Sequence, residues 1–156
     1  MSEEMVSRHD SVMQRLRKAM KRKLALILLN CVATAVLMGS CYDMFMPGVR
    51  DNLLDYLGMT RAEMSPRLAT LLLGIFRSLG GCLLAVAVTA FVLINGPVKR
   101  GERWASWTVL ILIGLSEGIN ATQMWRFGSP YYWPLLFVSM AVVGILILPN
   151  NLEAKS

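Results

Sequence analysis

The chain has 156 residues, 55% of them hydrophobic, a formal net charge of +6 and a mean hydropathy of +0.51. That is too apolar for an ordinary soluble domain of this size. About 70 residues lie outside the apolar stretches, too few for a separate soluble catalytic domain. A single histidine, His9, lies in the N-terminal segment, so no His-based metal or haem site can be built within the apolar stretches. Cys31, Cys41 and Cys82 show no C-x-x-C spacing, and Cys31 and Cys41 lie about 15 Å apart along one helix, too far to bridge. No phosphate loop or dinucleotide fingerprint exists. No metal is expected, no cofactor is identified, and nucleophile–histidine catalysis would need a base from a partner.

Residues 1–23 form a basic segment that is not a cleavable signal, because the apolar run after it is of full span length and no small-residue cleavage site follows. Within it, residues 11–22 have the pattern of a short amphipathic helix, with Val12, Met13, Leu16 and Met20 on one face and Arg15, Arg17, Lys18 and Lys21 around it. Such a helix is expected to lie on a lipid leaflet.

Four membrane spans follow, at 24–46, 68–94, 104–124 and 131–148, with a short tail at 149–156. Each is close to or above the length that crosses a hydrocarbon layer of about 30 Å. Because lipid offers no partners to unpaired backbone groups, the expected fold is all-α, an integral membrane four-helix bundle. Eleven basic residues lie in the N-terminal segment, the turn at 95–103 and the tail, against four in the segments on the other side. The positive-inside rule then places both termini in the cytoplasm. This accounts for the basic surplus, and no nucleic-acid partner is expected.

Span one carries Asn30 and Thr34 on one face and Asp43 near its far end. The loop after it holds Asp51, a candidate cap for a short helix ending at Gly58, and the capping-box spacing Thr60-x-x-Glu63, which Pro66 stops. This loop is expected to cover the outer end of the bundle. Ser65-Pro66 is an N-cap followed by a first-turn proline, opening span two.

Spans two and three form a hairpin with Pro97 as its expected pivot. Arg77 and Glu117 each lie 20 residues from Pro97, which predicts equal depth and an intramembrane ion pair. Gly74 and Gly81 beside Arg77, and Gly114 and Gly118 beside Glu117, predict close helix approach there. Beyond Glu117 run Asn120 and Gln123, read as one polar stripe, and Trp125, Tyr131, Tyr132 and Trp133 read as an aromatic belt at the outer interface. Charges within a membrane are expensive and seldom idle. The candidate polar site is therefore Asp43, Arg77, Glu117, Asn120, Gln123, Trp125, Tyr132 and Trp133.

Arg77-Ser78-Leu79-Gly80-Gly81, the turn ending Arg100-Gly101-Glu102-Arg103-Trp104-Ala105-Ser106-Trp107, and the aromatic-proline start of span four resemble the small bacterial membrane proteins called DoxX-like, over residues 65–148. The resemblance implies a four-helix bundle in a bacterial inner membrane. Three functions are compatible with the residues. The first is a non-catalytic protein that binds a lipid or quinone-like molecule, or serves a larger membrane complex or homo-oligomer. The second is a small membrane enzyme, an isomerase or lipid-modifying enzyme, using Glu117 or Asp43 as general acid/base. The third is a proton or small-solute pathway in an oligomer.

Overall fold

A computed structural model describes residues 2–149, so Asn150, Asn151 and Lys155 of the expected tail lie outside the described residues. Among the described residues there are five α-helices and no strand: α1 Ser2–Phe45, α2 Asp51–Leu57, α3 Pro66–Leu93, α4 Arg103–Arg126 and α5 Tyr132–Ile147. A π-helical turn, Ile94–Val98, continues α3.

Two helical stretches are long and apolar enough to cross a membrane, Val12–Phe45 of α1 and Pro66–Val98 of α3 with its π turn. α4, with 24 residues, is long enough to cross but more polar, and α5 is apolar but only 16 residues. The four long helices meet in a ring, α1 touching α3 and α5, and α4 touching α3 and α5. Inside the ring lies a dry core of Leu29, Val32, Ala33 and Val36 from α1, Ala87 and Ala90 from α3, Ile94 and Val98 from the π turn, Ala105, Val109 and Ile113 from α4, and Ala141 from α5. The outward faces are also apolar: Ile75, Leu79 and Val92 of α3, Ile111, Leu115 and Ile119 of α4 and Leu146 of α5 are all exposed. Only 11% of the most apolar part of α3 is buried. The core helix of a water-soluble protein would be mostly covered, and exposed apolar area on this scale marks a surface made for lipid or partner.

The basic N-terminal segment differs from expectation. It is not a separate short helix but the first part of α1, one helix of 44 residues, about 66 Å long. No proline or glycine interrupts the helix between residues 11 and 38, so nothing breaks the hydrogen-bond ladder where a bend was expected. Val12, Met13, Leu16 and Met20 are exposed along it.

The chain reversal after α3 also differs. Pro97 does not turn the chain; it sits inside the π-helical turn, and the reversal comes at Gly101, whose φ of 88° suits only glycine. Glu102 then leads into α4, accepting hydrogen bonds from Arg100 Nε and Trp104 Nε1, both at 2.8 Å. These bonds hold the Glu102 carboxyl below its ordinary pKa, the Arg100 bond most strongly.

At the opposite end, hereafter the loop end, α2 lies over α3 and the α4–α5 turn. Val49, Leu53 and Leu54 pack with Leu72, Leu73, Phe76 and Phe127, and the Tyr56 and Phe127 rings meet edge to face at 5.0 Å. Arg61 ties the loop together by donating to the Val49 carbonyl at 3.0 Å and to Asp51 at 2.7 Å. The Asn52 amide also donates to the Ser129 hydroxyl. The caps follow the sequence: Ser65 accepts from the Leu68 N–H, Pro66 opens α3, and Gly58 ends α2 in the left-handed region. Asp51 is the first helical residue of α2 rather than its cap, which is Arg50. Glu63 accepts from both the N–H and the hydroxyl of Thr60, so its carboxyl is held low.

Candidate functional site: an acidic cavity at the loop end

α1 and α3 cross with their backbones in contact near the loop end. A Cβ at Gly80 would sit 2.8 Å from the Ser40 carbonyl oxygen and the Met44 nitrogen, so only glycine fits. α5 is drawn to α1 further along, where a Cβ at Gly144 would meet Leu29 at 3.1 Å. The glycines that allow close approach are therefore Gly80 and Gly144. Gly74, Gly81, Gly114 and Gly118, expected to bring α3 and α4 together, have open space where a Cβ would go.

Beyond these crossings the ring leaves a cavity of about 200 Å³. α1 contributes Ser40, Tyr42 and Asp43, α4 contributes Glu117 and Asn120, α5 contributes Trp133 and Phe137, and Leu83 of α3 and Arg50 complete the wall. Glu117 is 4% exposed, one of two buried polar or charged side chains among the described residues, the other being Ser40. Asn120, one turn on, lies beside the Glu117 carboxylate and in the same wall.

The cation of this site is Arg50, not Arg77. The break at Pro47-Gly48 folds the chain back after α1, so that Arg50 pairs with Asp43. The guanidinium lies 4.8 Å from the centre of the Tyr42 ring and 5.9 Å from that of Phe76, a stacked cationic arrangement. Its Nε is buried without a hydrogen-bond partner.

The expected Arg77–Glu117 pair does not form: Arg77 is exposed on α3, and no ion pair joins it to Glu117 among the described residues. The reason is the position of the reversal. Counted from Gly101, Glu117 lies 16 residues along α4 and Arg77 lies 24 residues back along α3. The eight-residue difference is about 12 Å of depth. Leu83, 18 residues back, is the α3 residue that reaches the cavity beside Glu117.

The other expected site residues divide cleanly. Asp43, Glu117, Asn120 and Trp133 line the cavity. Gln123 and Trp125 are exposed on α4 and do not line it. Tyr132, also exposed, contacts the rings of Tyr131 and Trp133 at 6.4 and 5.6 Å, and supports the cavity wall without forming it. Arg50, Tyr42, Ser40 and Phe137 were not expected. Arg50 carried one signal, its position just past a Pro-Gly break that follows Asp43.

Chemically, the site offers a carboxylate paired to a guanidinium, a second buried carboxylate free of ion pairing, a carboxamide, and aromatic walls. Tyr42 and Trp133 line the cavity and are 59% and 50% exposed, so they carry its wall to the surface. Its volume is below the range of about 300–1,000 Å³ typical of whole drug-sized ligands. It suits a polar head or one ring, with the rest of the molecule outside along the apolar flank. Among the described residues no cluster of three or more His, Cys, Asp or Glu forms a metal-binding group. No known protein family, no curated protein and no solved structure matches the chain.

Proposed function

We propose that this chain is a multi-pass membrane protein whose loop-end cavity holds the head of a hydrophobic, lipid- or quinone-like ligand. The reading takes α1, α3, α4 and α5 as the four spans of a membrane bundle with both termini cytoplasmic and the loop end outside. The bacterial inner membrane is the setting that the DoxX-like resemblance implies. Several features support the membrane assignment. Two helices are long and apolar enough to cross, and apolar side chains cover the outward faces of α3, α4 and α5. On α4, Trp104 and Trp125 lie 21 residues apart, about 31 Å, and both are exposed. That spacing matches a hydrocarbon layer of about 30 Å with an aromatic side chain at each interface. Glu117 then sits about 12 Å below the loop-end interface, too deep to reach it as a loop charge would.

The observation that carries the ligand reading is the cavity itself: Asp43, Arg50, Glu117 and Asn120 face one space walled by Tyr42, Trp133 and Phe137, and two of those rings, Tyr42 and Trp133, reach the surface. Polar groups inside and exposed rings at the rim suit a ligand with a polar head and an apolar body. The dry core between this cavity and the other end weighs against a proton or solute path through a single chain.

The test is native mass spectrometry of protein extracted in mild detergent. A hydrophobic molecule retained by the wild type and lost from Glu117→Leu, with helical circular dichroism unchanged, is the expected result. A wild-type protein carrying no adduct, with or without added lipid extract, would contradict the reading. The enzyme alternative rests on Glu117 being a buried, unpaired carboxylate in a cleft. Conversion of the retained molecule by the wild type but not by Glu117→Gln would favour it.

A further inference from the structure

At the end opposite the acidic cavity, α1 and the turn after α3 border a gap of about 560 Å³. Four cations line it, Arg22 and Lys23 from α1 and Lys99 and Arg100 from the turn, together with the Asn95 amide and the Gly96 backbone. No acidic side chain lines it. Arg100 is already engaged with Glu102, which leaves Arg22, Lys23 and Lys99 to supply the field. Two links hold the gap's walls in register: the Asn95 amide donates to Asn30 Oδ1 at 2.9 Å, and Arg22 donates to the Lys99 carbonyl.

Leu26 lines this gap and also begins a second hollow of about 490 Å³, a shallow, largely apolar groove lined by α1 side chains alone and running along that helix to Met38. From Leu26 to Met38 is 12 residues, about 18 Å. One leaflet of a hydrocarbon core is about 15 Å deep. The cationic gap thus adjoins, at Leu26, an apolar face of leaflet length on which Ile27 and Met38 are 59% and 68% exposed.

We propose that this composite hollow binds one anionic phospholipid, its phosphodiester among Arg22, Lys23 and Lys99 and an acyl chain along the groove to Met38. The inference rests on the membrane reading above but is independent of any ligand in the acidic cavity. Charge complementarity selects the lipid class: a zwitterionic headgroup would bring its own cation into a chamber lined by four. Basic pockets between spans are recognised positions for anionic headgroups. The matched groove selects a lipid over free phosphate.

The experiment is native mass spectrometry of the full chain titrated with phosphatidylglycerol, phosphatidylcholine or glycerol phosphate. Phosphatidylglycerol is expected to bind with clear preference over phosphatidylcholine. Lys23→Gln and Lys99→Gln should each weaken it about fivefold and together about 30-fold. Arg126→Gln, at the other end, should leave it unchanged. Thr34→Trp, which fills the groove, should weaken phosphatidylglycerol and spare glycerol phosphate. Equal binding of the two lipids, or an Arg126→Gln effect equal to that of Lys99→Gln, would overturn the inference and reduce the patch to a general attraction for anionic surfaces. Binding of glycerol phosphate as tight as that of the lipid would overturn the role of the groove. Recovery of the chain in the soluble fraction would overturn the membrane reading and this inference together, whereas membrane recovery with no lipid preference would overturn this inference alone.

Discussion

The two ends of the molecule use the same helices to opposite effect. At the loop end, α1 and α3 touch backbone to backbone at Gly80, two acids and one arginine line one cavity, and α2 packs alongside. At the basic end, α1 and the turn after α3 border a gap that cations line, with an amide pair and one arginine reaching across it. Between them lies a core without a charged residue. At the loop end a glycine at the contact lets α1 and α3 close backbone to backbone beside a small acidic chamber, whereas the larger gap at the other end is lined by long cationic side chains. Acid and base are thereby kept apart, and each end recruits a different chemistry.

The largest expected effect tests the glycine contact. Gly80→Ala forces a Cβ into the Ser40 and Met44 backbone, and should cost about 3 kcal/mol, near the upper end for overpacking. Gly81→Ala, its neighbour, meets nothing within 4 Å and should change stability by less than about 0.5 kcal/mol. Thermal unfolding in detergent compares the two. Equal losses would mean that α1 and α3 do not cross at Gly80.

The next effect concerns the arginines. Asp43→Leu leaves Arg50 partly buried beside the cavity without its carboxylate. The pair is 31% and 20% exposed, so the cost should fall between that of surface and buried pairs, about 1–2 kcal/mol. Arg77→Leu removes an exposed side chain that pairs with nothing in the described structure, and should cost less than about 0.5 kcal/mol. Glu117→Leu should not destabilise the fold, because it strands no cation. A severe loss on Glu117→Leu, recovered by adding Arg77→Leu, would restore the ion pair that the structure does not contain.

The smallest effect sharpens the basic end. Asn95→Leu removes the amide link to Asn30 and should cost about 0.6 kcal/mol, the usual size for a hydrogen bond between membrane helices. Its signature should be weaker binding of anionic lipid without a change at the acidic cavity. A change confined to the acidic cavity would contradict the independence of the two ends.

Much of this was legible in the sequence, for identifiable reasons. The helices follow from apolar runs, and the start of α3 follows from Ser65-Pro66. Glu117 and Asn120 share a wall because they are one helical turn apart. Gln123 does not join them, because each step of three residues falls about 60° short of a full circle, so the stripe has rotated by about 120° at Gln123. Trp133 reaches the cavity because α5 begins beside it, while Trp125, eight residues past Glu117, is turned about 80° away from it around α4. The Arg77 pairing failed on a four-residue error in the pivot, since a proline can sit in a π-helical turn and leave the reversal to the next glycine. Because both arms are counted from the pivot, that error doubles into eight residues of register. Arg50 was hidden for a different reason: its partner Asp43 lies seven residues away in sequence, and only the fold-back at Pro47-Gly48 brings them together. The glycine pattern misled because Gly-x-x-x-Gly spacing permits close approach without compelling it.

The central claim is that the loop-end cavity holds a ligand's head against Trp133. The most direct measurement is retention of the co-extracted molecule by native mass spectrometry in two tryptophan variants. Trp133 lines the cavity, whereas Trp125, equally suited to an interface, is 67% exposed and lines nothing there. The account predicts that Trp133→Ala loses the bound molecule while Trp125→Ala keeps it, both remaining helical. Retention by Trp133→Ala, or equal loss from both variants, would contradict it.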